Sequence, residues 1–340
     1  MTDLQFPFPT PPQAGRTMAL APGLLWLRLQ LPFRLNHVNI YLLEDDDSWT
    51  VIDAGVDDPG TRGVWETVLA EVLGGRPIRR IVVTHYHPDH VGAAAFLAER
   101  TGATVLMGET EYLTARAHLA AGDADLAAEE VFYRGHGLAD AAIGFMRQRL
   151  ARYRRVVPAL PRRYQPLRAG DRLVIGARRL DVLCHAGHSP AQMLLHAPGD
   201  NLFFAADHVL AQISPNVSVA EEKPHDDPLG LYLASFPRLR ETVSDEALVL
   251  PGHRLPFRGL HTRTRQLALH HDERCGAILA ACRARPLTAA DLVPALFPMD
   301  LDPHQLWFAF SEALAHVNYL SARGRLVEIP SGGISRWQAP

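Results

Sequence analysis

The segment THYHPDHVG, residues 84–92, holds three histidines and an aspartate within six positions, directly after the apolar run IRRIVV. His85 and His87 are separated by one residue and can converge on one ion, while Asp89 and His90 point toward a neighbouring position. Neutral imidazole and carboxylate are ligands that suit zinc, iron or manganese. A polar loop with a capping aspartate is the structural alternative. If the segment is half of a metal site, further His and Asp residues must follow other strands.

Three such residues are present farther along the chain. His188 lies in CHAGHSPAQ, Asp207 in FFAADHVL and His253 in LVLPGHR, and each follows an apolar strand by a few residues. All three can therefore lie on the same rim as the first segment. Five other residues are expected to have structural, surface or interdomain roles: His185, His208, His270, His271 and Arg274.

The elements that must position these residues come in two groups of strands. Short β-rich runs from about residue 24 to residue 54 alternate with turn signals and predict a meander. IRRIVV is a buried strand, VGAAAFLAER a helix and ATVLMG the next strand. Strand signals resume in DRLVIGARRLDVLCHAG, QMLLHAPGDNLFFAAD and ALVLPGH. Two groups of strands, each accompanied by helices, predict an α/β protein built as an αββα sandwich of two sheets with helices outside.

Two segments depart from this pattern. Residues 109–165 form a predicted helical insertion, with ETEYLTARAHLAAG followed by LADAAIGFMRQRLARYRR. After His261 the strand signals stop, and three helical stretches precede a hairpin formed by RLVEIP and ISRWQ. This is the order of a winged helix. The predicted organisation is a catalytic domain at 1–260 that carries the insertion, and a small helical, winged-helix-like domain at 261–340.

The histidine and aspartate pattern resembles the metallo-β-lactamase superfamily, in which a His-x-His-x-Asp-His turn precedes a Gly-His, an Asp and a final Gly-His. The resemblance covers about residues 20–260 and implies an αββα fold of two mixed sheets. It also implies a ligand for every matched position: His85, His87 and His188 for the first metal, Asp89, His90 and His253 for the second, and Asp207 between them. Asp53 in VIDAG matches an aspartate that supports the ligands from behind, with a turn at a strand end as the alternative.

The resemblance implies a hydrolase with two divalent cations, zinc first and iron or manganese as alternatives. Two close cations lower the pKa of a bridging water and stabilise the developing oxyanion, and Asp89 would orient the resulting hydroxide. ISPNVS and DPLGLYLASFPRLR resemble thioesterase-like hydrolases related to glyoxalase II. The expected substrate is a small acyl thioester of coenzyme A or glutathione type, or another ester. Tyr133 and His136 in FYRGHGLAD are candidate substrate contacts or exposed loop residues.

Other functions remain open for the same residues. The alternatives are a phosphodiesterase or ribonuclease, a lactonase, an iron-dependent sulfur dioxygenase and a DNA-binding C-terminal module. The net charge of -3 disfavours nucleic acid as a partner. Three cysteines without disulfide spacing, no signal-like start and no apolar stretch of membrane-spanning length favour a cytoplasmic protein that does not enter the membrane. A homo-oligomer is left open.

Overall fold

The first sheet contains seven strands. The structure is a computed structural model that describes residues 3–32 and 34–340. In chain order and also in spatial order, the strands are β1 Thr17–Ala21, β2 Leu24–Gln30, β3 His37–Asp45, β4 Ser48–Ile52, β5 Ile78–Val83, β6 Thr104–Gly108 and β7 Gln165–Leu167. Neighbours from β1 to β4 pair antiparallel, which confirms the predicted meander. Neighbours from β4 to β7 pair parallel, so the carboxyl ends of β4 and β5 lie at one edge of the sheet.

The second sheet contains five strands: β8 Arg172–Ile175, β9 Arg178–His185, β10 Gln192–Ala197, β11 Leu202–Ala206 and β12 Leu248–Pro251. Their spatial order is β12-β11-β10-β9-β8. β10 is antiparallel to both β9 and β11, while β12 is parallel to β11. The strands β9, β11 and β12 therefore run in the same direction and end at the same edge.

Ten α-helices are found in the described residues: α1 Pro59–Thr67, α2 Pro88–Val91, α3 Ala94–Thr101, α4 Glu109–Ala120, α5 Asp123–Gly135, α6 Asp140–Val156, α7 Pro228–Thr242, α8 Leu260–Ala284, α9 Ala289–Leu296 and α10 Pro303–Ser321. A hairpin of β13 Val327–Ser331 and β14 Ile334–Gln338 follows the last helix. Within the described residues, no helix combines the length and apolar content needed to cross a membrane.

The buried side chains form three layers, as expected of a sandwich. Successive residues of a strand face opposite sides of its sheet. In β5, Ile81 packs into the layer shared with α3, whereas Val82 packs between the two sheets. In β10, Leu195 joins the layer between the sheets and Leu194 joins the layer under α7, α8 and α10. The predicted αββα sandwich of two mixed sheets is confirmed.

Four of these strands and helices were not among the sequence predictions. The edge strand β1 precedes the predicted meander, the predicted insertion contains a third helix α5, the short strand β7 lies at the end of that insertion, and α7 follows β11. The middle helix α5 has an acidic first turn, and its apolar Val131 is 69% exposed. A weakly apolar helix of this kind gives little periodic signal because much of its surface faces solvent.

Candidate metal centre

The seven predicted ligands come together at the carboxyl ends of β5, β9, β11 and β12. We call this set the rim cluster: His85, His87, Asp89, His90, His188, Asp207 and His253. The strand directions explain the convergence, because parallel strands bring the turns that follow them to one edge. His87, Asp89 and His188 are partly exposed, while the other four side chains are buried. One side of the rim cluster is therefore accessible from solvent.

The first group of the rim cluster contains His85, His87, His188 and Asp207, whose ligand atoms lie within 4.8 Å of one another. His85 Nε2 is 3.0 Å from His87 Nδ1, and His188 Nε2 is 3.5 Å from Asp207 Oδ2. A tetrahedral zinc site requires four N, O or S ligands close to one point. The residue types and number in this group match that requirement.

The second group contains Asp89, His90 and His253. Asp89 Oδ2 is 3.2 Å from His253 Nε2 and 3.6 Å from His90 Nε2. Asp207 Oδ2 is also close to this group, at 3.1 Å from His253 Nε2 and 3.4 Å from His90 Nε2. One oxygen of Asp207 is therefore within 3.5 Å of histidines from both groups.

Unsatisfied polar atoms test whether these residues suit a metal. His90 Nε2, His188 Nε2 and Asp207 Oδ1 are buried and have no hydrogen-bond partner. Buried polar atoms of this kind are costly unless a partner completes them. All three belong to the rim cluster and are atom types that bind zinc, iron or manganese. The rim cluster is able to hold metal ions.

The other ring nitrogen of three histidines donates a hydrogen bond to an oxygen of the protein. His90 Nδ1 donates to Asp53 Oδ2 at 2.8 Å, His188 Nδ1 to the Asn216 carbonyl at 2.8 Å and His253 Nδ1 to the His37 carbonyl at 2.7 Å. A protonated Nδ1 leaves Nε2 with a free lone pair, which is the form that binds metal. The structure thus orients three imidazoles toward the centre of the rim cluster.

Asp53 connects the turn after β4 with the turn after β5. It accepts hydrogen bonds from the Thr84 N–H at 2.8 Å and the Thr84 hydroxyl at 2.9 Å, in addition to the bond from His90. Because the Asp53 side chain is only 4% exposed, these contacts are shielded from solvent. The predicted supporting position of Asp53 agrees with these contacts, and its role stays a prediction.

Three turns of the site have left-handed backbone at residues other than glycine. Asp53 has φ +64°, Ala206 before Asp207 has φ +42°, and Arg254 after His253 has φ +69°. Such conformations cost free energy in residues with a Cβ. The cost is offset by contacts on these turns; for example, the Arg254 carbonyl accepts hydrogen bonds from Arg28 and Asn39.

Gln192 and Asn39 support the site and carry no motif in the sequence. Gln192 is fully buried beside His85 Nδ1, with its Nε2 at 3.0 Å and its Oε1 unpartnered. An amide turned by 180° would place Oε1 there as the acceptor of the His85 Nδ1–H. Asn39 donates to the Pro251 carbonyl at 2.9 Å, just before His253. These contacts join separate strands, so local residue spacing gives no signal for them.

The electrostatics of the rim cluster are those of two carboxylates surrounded by imidazoles. Burial alone would raise the pKa of Asp89, but the charge of His90 and a hydrogen bond from His253 lower it to about 2. Burial alone would lower the pKa of His253, but Asp207 and Asp89 raise it to about 10. Cations are thus strongly favoured beside these carboxylates, and a metal must displace protons when it binds.

Tyr133 and His136, the predicted substrate contacts, pack against the C-terminal part of the chain. Tyr133 Oη accepts a hydrogen bond from Trp307 Nε1 at 3.3 Å, and its ring packs on Phe310. The His136 ring stacks on Trp337 with centroids 5.7 Å apart. The structure brings neither residue into the rim cluster, and their substrate role stays a prediction.

Comparisons with known proteins cover both parts of the chain. Residues 34–256 match the family model of the Metallo-beta-lactamase superfamily. Residues 275–340 match the model described as "Metallo-beta-lactamase-like, C-terminal domain". The first match covers the strands β3 to β12, and the second covers the C-terminal part of α8 together with α9, α10 and the hairpin β13–β14.

Individual proteins are similar over most of their length. A crystal structure of a beta-lactamase domain protein from Burkholderia ambifaria has a TM-score of 0.92 and 41% identity, covering 99% of this chain and 98% of that one. The probable metallo-hydrolase YqjP of Bacillus subtilis is 23% identical, over 87% of this chain and 91% of its own. The acyl-coenzyme A thioesterase MBLAC2 of Gallus gallus is 28% identical, over 69% of this chain and 78% of its own.

Proposed function

Because the chain belongs to the Metallo-beta-lactamase superfamily, we propose that it is a binuclear metallo-hydrolase that cleaves acyl thioesters of coenzyme A or glutathione type. The observation that carries the binuclear assignment is the position of Asp207. Its Oδ2 lies 3.5 Å from His188 Nε2 in the first group and 3.1 Å from His253 Nε2 in the second. A carboxylate placed between two groups of ligands is suited to bridge two cations.

Each group would hold one ion. The first ion would be held by His85, His87 and His188, the second by Asp89, His90 and His253, and Asp207 would contact both. Zinc is the expected metal because the set consists of imidazoles and carboxylates, and iron and manganese accept the same ligands. Asp53 would fix the orientation of His90 through its 2.8 Å hydrogen bond.

When bound, two divalent cations acidify a shared water and stabilise negative charge on the attacked carbonyl oxygen. Asp89 is partly exposed, and its carboxylate can accept a hydrogen bond from that water and orient it. Burial alone would raise the pKa of Asp89, but the charge of His90 and the contacts with His253 together lower it to about 2. Asp89 is therefore a charged acceptor at neutral pH.

The thioester assignment combines leaving-group chemistry with the likeness to MBLAC2. A thiolate departs with little need for protonation, so a site built from metal ligands suffices without a dedicated general acid. The acyl-coenzyme A thioesterase MBLAC2 is similar over 69% of this chain. Both points support an acyl thioester over a phosphodiester or a lactone.

A substrate comparison tests the proposed bond specificity. The zinc-loaded protein is assayed side by side on an acyl-coenzyme A, an acyl-glutathione, a lactone and a phosphodiester. We expect kcat/KM to be highest for one of the two thioesters. A higher value for the lactone or the phosphodiester would overturn the thioester assignment, and oxygen uptake by the iron-loaded protein would indicate a dioxygenase.

Metal analysis of a ligand variant tests the binuclear site. We expect two zinc ions per parent chain, and we expect His87→Ala to lose metal and hydrolysis together while the circular dichroism spectrum is kept. His185→Ala is the matched control, because His185 stacks on His208 and lies outside the rim cluster. Full activity in His87→Ala would contradict the assignment.

We also propose the division into a catalytic domain at 1–260 and a C-terminal domain at 261–340. The two separate family matches, at 34–256 and 275–340, support a boundary between them. The three helices α8, α9 and α10 followed by the hairpin β13–β14 support a winged-helix-like arrangement of the C-terminal domain.

A further inference from the structure

Two helices of the predicted insertion contact the turn that carries His85 and His87. Glu111 is near the start of α4 and Tyr153 is in α6, and both are buried. Tyr86 is the residue between the two histidines. Its backbone N–H donates to Glu111 Oε2 at 2.9 Å, and its carbonyl accepts from the Tyr153 hydroxyl at 2.9 Å. The insertion therefore holds both polar backbone groups of Tyr86.

Glu111 also holds the turn that follows His188. Its Oε1 accepts a hydrogen bond from the Ser189 hydroxyl at 2.8 Å and from the Ala191 N–H at 2.6 Å. One carboxylate thus joins two turns that are about a hundred residues apart in the chain, each of which carries ligands of the first group of the rim cluster. The three partners are all donors, and only a carboxylate offers two oxygens that accept from all of them.

We propose that Glu111 and Tyr153 are positioning residues that clamp the two ligand turns and fix the distance of His85 and His87 from His188. This proposal rests on the proposed function, because it assumes that these histidines bind metal. Neither residue touches the metal or the substrate in this scheme. Hydrogen bonds behind the ligands restrict the ligand geometry, and their loss typically lowers metal affinity by roughly 10–100-fold.

The end of α6, the last helix of the insertion, also lies close to the motif. The Val156 carbonyl accepts a hydrogen bond from the Asp57 N–H at 2.8 Å. A Cβ added at Gly92, at the end of THYHPDHVG, would lie 2.5 Å from the same carbonyl oxygen. The Val156 carbonyl can approach residue 92 this closely only because glycine has no Cβ. The insertion is thus packed against the ligand turn through both the start of α4 and the end of α6.

The test uses Glu111→Gln and Tyr153→Phe, each with a control that makes the same chemical change elsewhere. Glu111→Gln replaces one acceptor by an N–H₂ group that faces donors, and Tyr153→Phe removes the bond to the Tyr86 carbonyl. Tyr112→Phe is the control for the phenol, since the Tyr112 hydroxyl donates to the Pro161 carbonyl within the same insertion. Glu312→Gln is the control for a buried carboxylate outside the rim cluster.

Zinc affinity is measured by chelator competition on the full-length proteins, together with the visible spectrum of the Co²⁺-loaded forms and the thermal midpoint of the metal-free forms. We expect Glu111→Gln and Tyr153→Phe to weaken zinc binding by roughly 10–100-fold and to change the Co²⁺ spectrum. The two controls should shift only the thermal midpoint. Because zinc affinity and the Co²⁺ spectrum report on the metal ligands, they distinguish a positioning role from a general loss of stability.

Two results would overturn the proposal that Glu111 and Tyr153 position the two ligand turns. Parental zinc affinity and an unchanged Co²⁺ spectrum in Tyr153→Phe and Glu111→Gln would show that these bonds stabilise the fold alone. Should Glu111→Gln fail to fold, Tyr153→Phe decides, because it removes one hydroxyl. A parent protein that binds no zinc would instead overturn the proposed function and this proposal with it.

Discussion

Histidine and carboxylate side chains form two largely buried clusters among residues 3–32 and 34–340. The rim cluster lies at the strand ends, and a second cluster, the helix cluster, consists of His271 on α8 and of Glu312 and His316 on α10. In the helix cluster Glu312 is ion-paired with Arg274. His271 Nδ1 is 3.0 Å from His316 Nε2, and His316 Nδ1 donates to the Glu312 carbonyl at 2.7 Å. The carboxylate of the helix cluster is therefore already paired with a cation, while His271 Nε2 is buried without a hydrogen-bond partner.

The rim cluster also combines histidines with carboxylates, but its carboxylates have a different set of partners. In the described part of the chain, the ion pairs of Asp89 and Asp207 are all with histidines. The buried atoms His90 Nε2 and Asp207 Oδ1 have no hydrogen-bond partner. The two clusters differ in the partners of their carboxylates, because an arginine neutralises Glu312 whereas only histidines face Asp89 and Asp207. An unsatisfied buried nitrogen occurs in both clusters and does not distinguish them. We expect metal in the rim cluster and a metal-free network in the helix cluster.

The largest expected effect comes from Asp207→Asn, which removes the charge between the two ligand groups at almost constant shape. We expect at least one ion to be lost per chain and kcat/KM to fall on the order of 10²-fold or more, because the loss of Lewis-acid stabilisation is worth several kcal/mol. Metal content is measured by elemental analysis and hydrolysis with the best thioester of the screen.

The matched change in the helix cluster is Glu312→Gln. It should leave the metal content and kcat/KM at parental values, because its carboxylate is paired with Arg274. A loss of one metal ion in Glu312→Gln would contradict the expected metal-free helix cluster, because it would show that this cluster binds metal. Retention of both ions in Asp207→Asn would show that the rim cluster does not need this carboxylate to hold two ions.

Glu312→Gln is expected to act on stability instead. Arg274 and Glu312 have side chains that are 16% and 9% exposed, and the substitution leaves the guanidinium without its anionic partner. We expect the free energy of unfolding to fall by roughly 1.5–3 kcal/mol, the usual range for a hydrogen bond to a charged group. Urea unfolding of the metal-free protein measures it. An unchanged midpoint would show that the pair contributes nothing.

The residues of the rim cluster could be predicted from the sequence because each of them lies in a short local motif. Each candidate ligand lies just after an apolar strand, and the spacing in THYHPDHVG is itself a pattern that predicts metal binding. The two groups of strands likewise predicted the two sheets of the sandwich. Parallel strand direction then brings the turns together, so that short motifs in distant segments become one site.

The remaining features depend on contacts between distant segments. His271 was expected at a helix surface or between domains, yet it is fully buried because α10 places His316 against it, 45 positions away. Glu111 lies in a polar stretch of the sequence. The spacing of the apolar residues around it does not predict its hydrogen bonds with Tyr86 and Ala191. Such contacts follow from the tertiary arrangement and leave no periodic signal.

A smaller effect concerns the pH dependence of the helix cluster. Burial is the main cause that lowers the pKa of His316 from 6.5 to about 4, and Arg274 and His270 add to it. The folded protein therefore holds His316 neutral, while the unfolded chain takes up a proton below pH 6.5. The stability from neutral His316 is complete above pH 6.5 and is lost as the pH falls toward 4.

The test compares His316→Gln with the parent in metal-free form. An amide keeps one donor for the Glu312 carbonyl and one acceptor for His271, but it does not titrate in this range. We expect the parent to lose roughly 1–2 kcal/mol more than the variant between pH 7 and pH 5. Urea unfolding at both pH values measures this. Equal losses would mean that His316 does not contribute to acid sensitivity.

The smallest expected effect is that of Gly276→Ala in α8, and the matched change beside the rim cluster is Gly252→Ala. A Cβ at Gly252 would lie 2.2 Å from Asp207 Oδ1, whereas a Cβ at Gly276, on the exposed side of α8, meets nothing within 4 Å. Alanine is favoured over glycine inside a helix by roughly 0.5–1 kcal/mol. Gly276→Ala should therefore raise the free energy of unfolding by that amount with unchanged hydrolysis, while Gly252→Ala displaces Asp207 and lowers metal content. Urea unfolding and metal analysis of both variants check this, and a destabilised Gly276→Ala would mean that the exposed side of α8 has contacts beyond this chain.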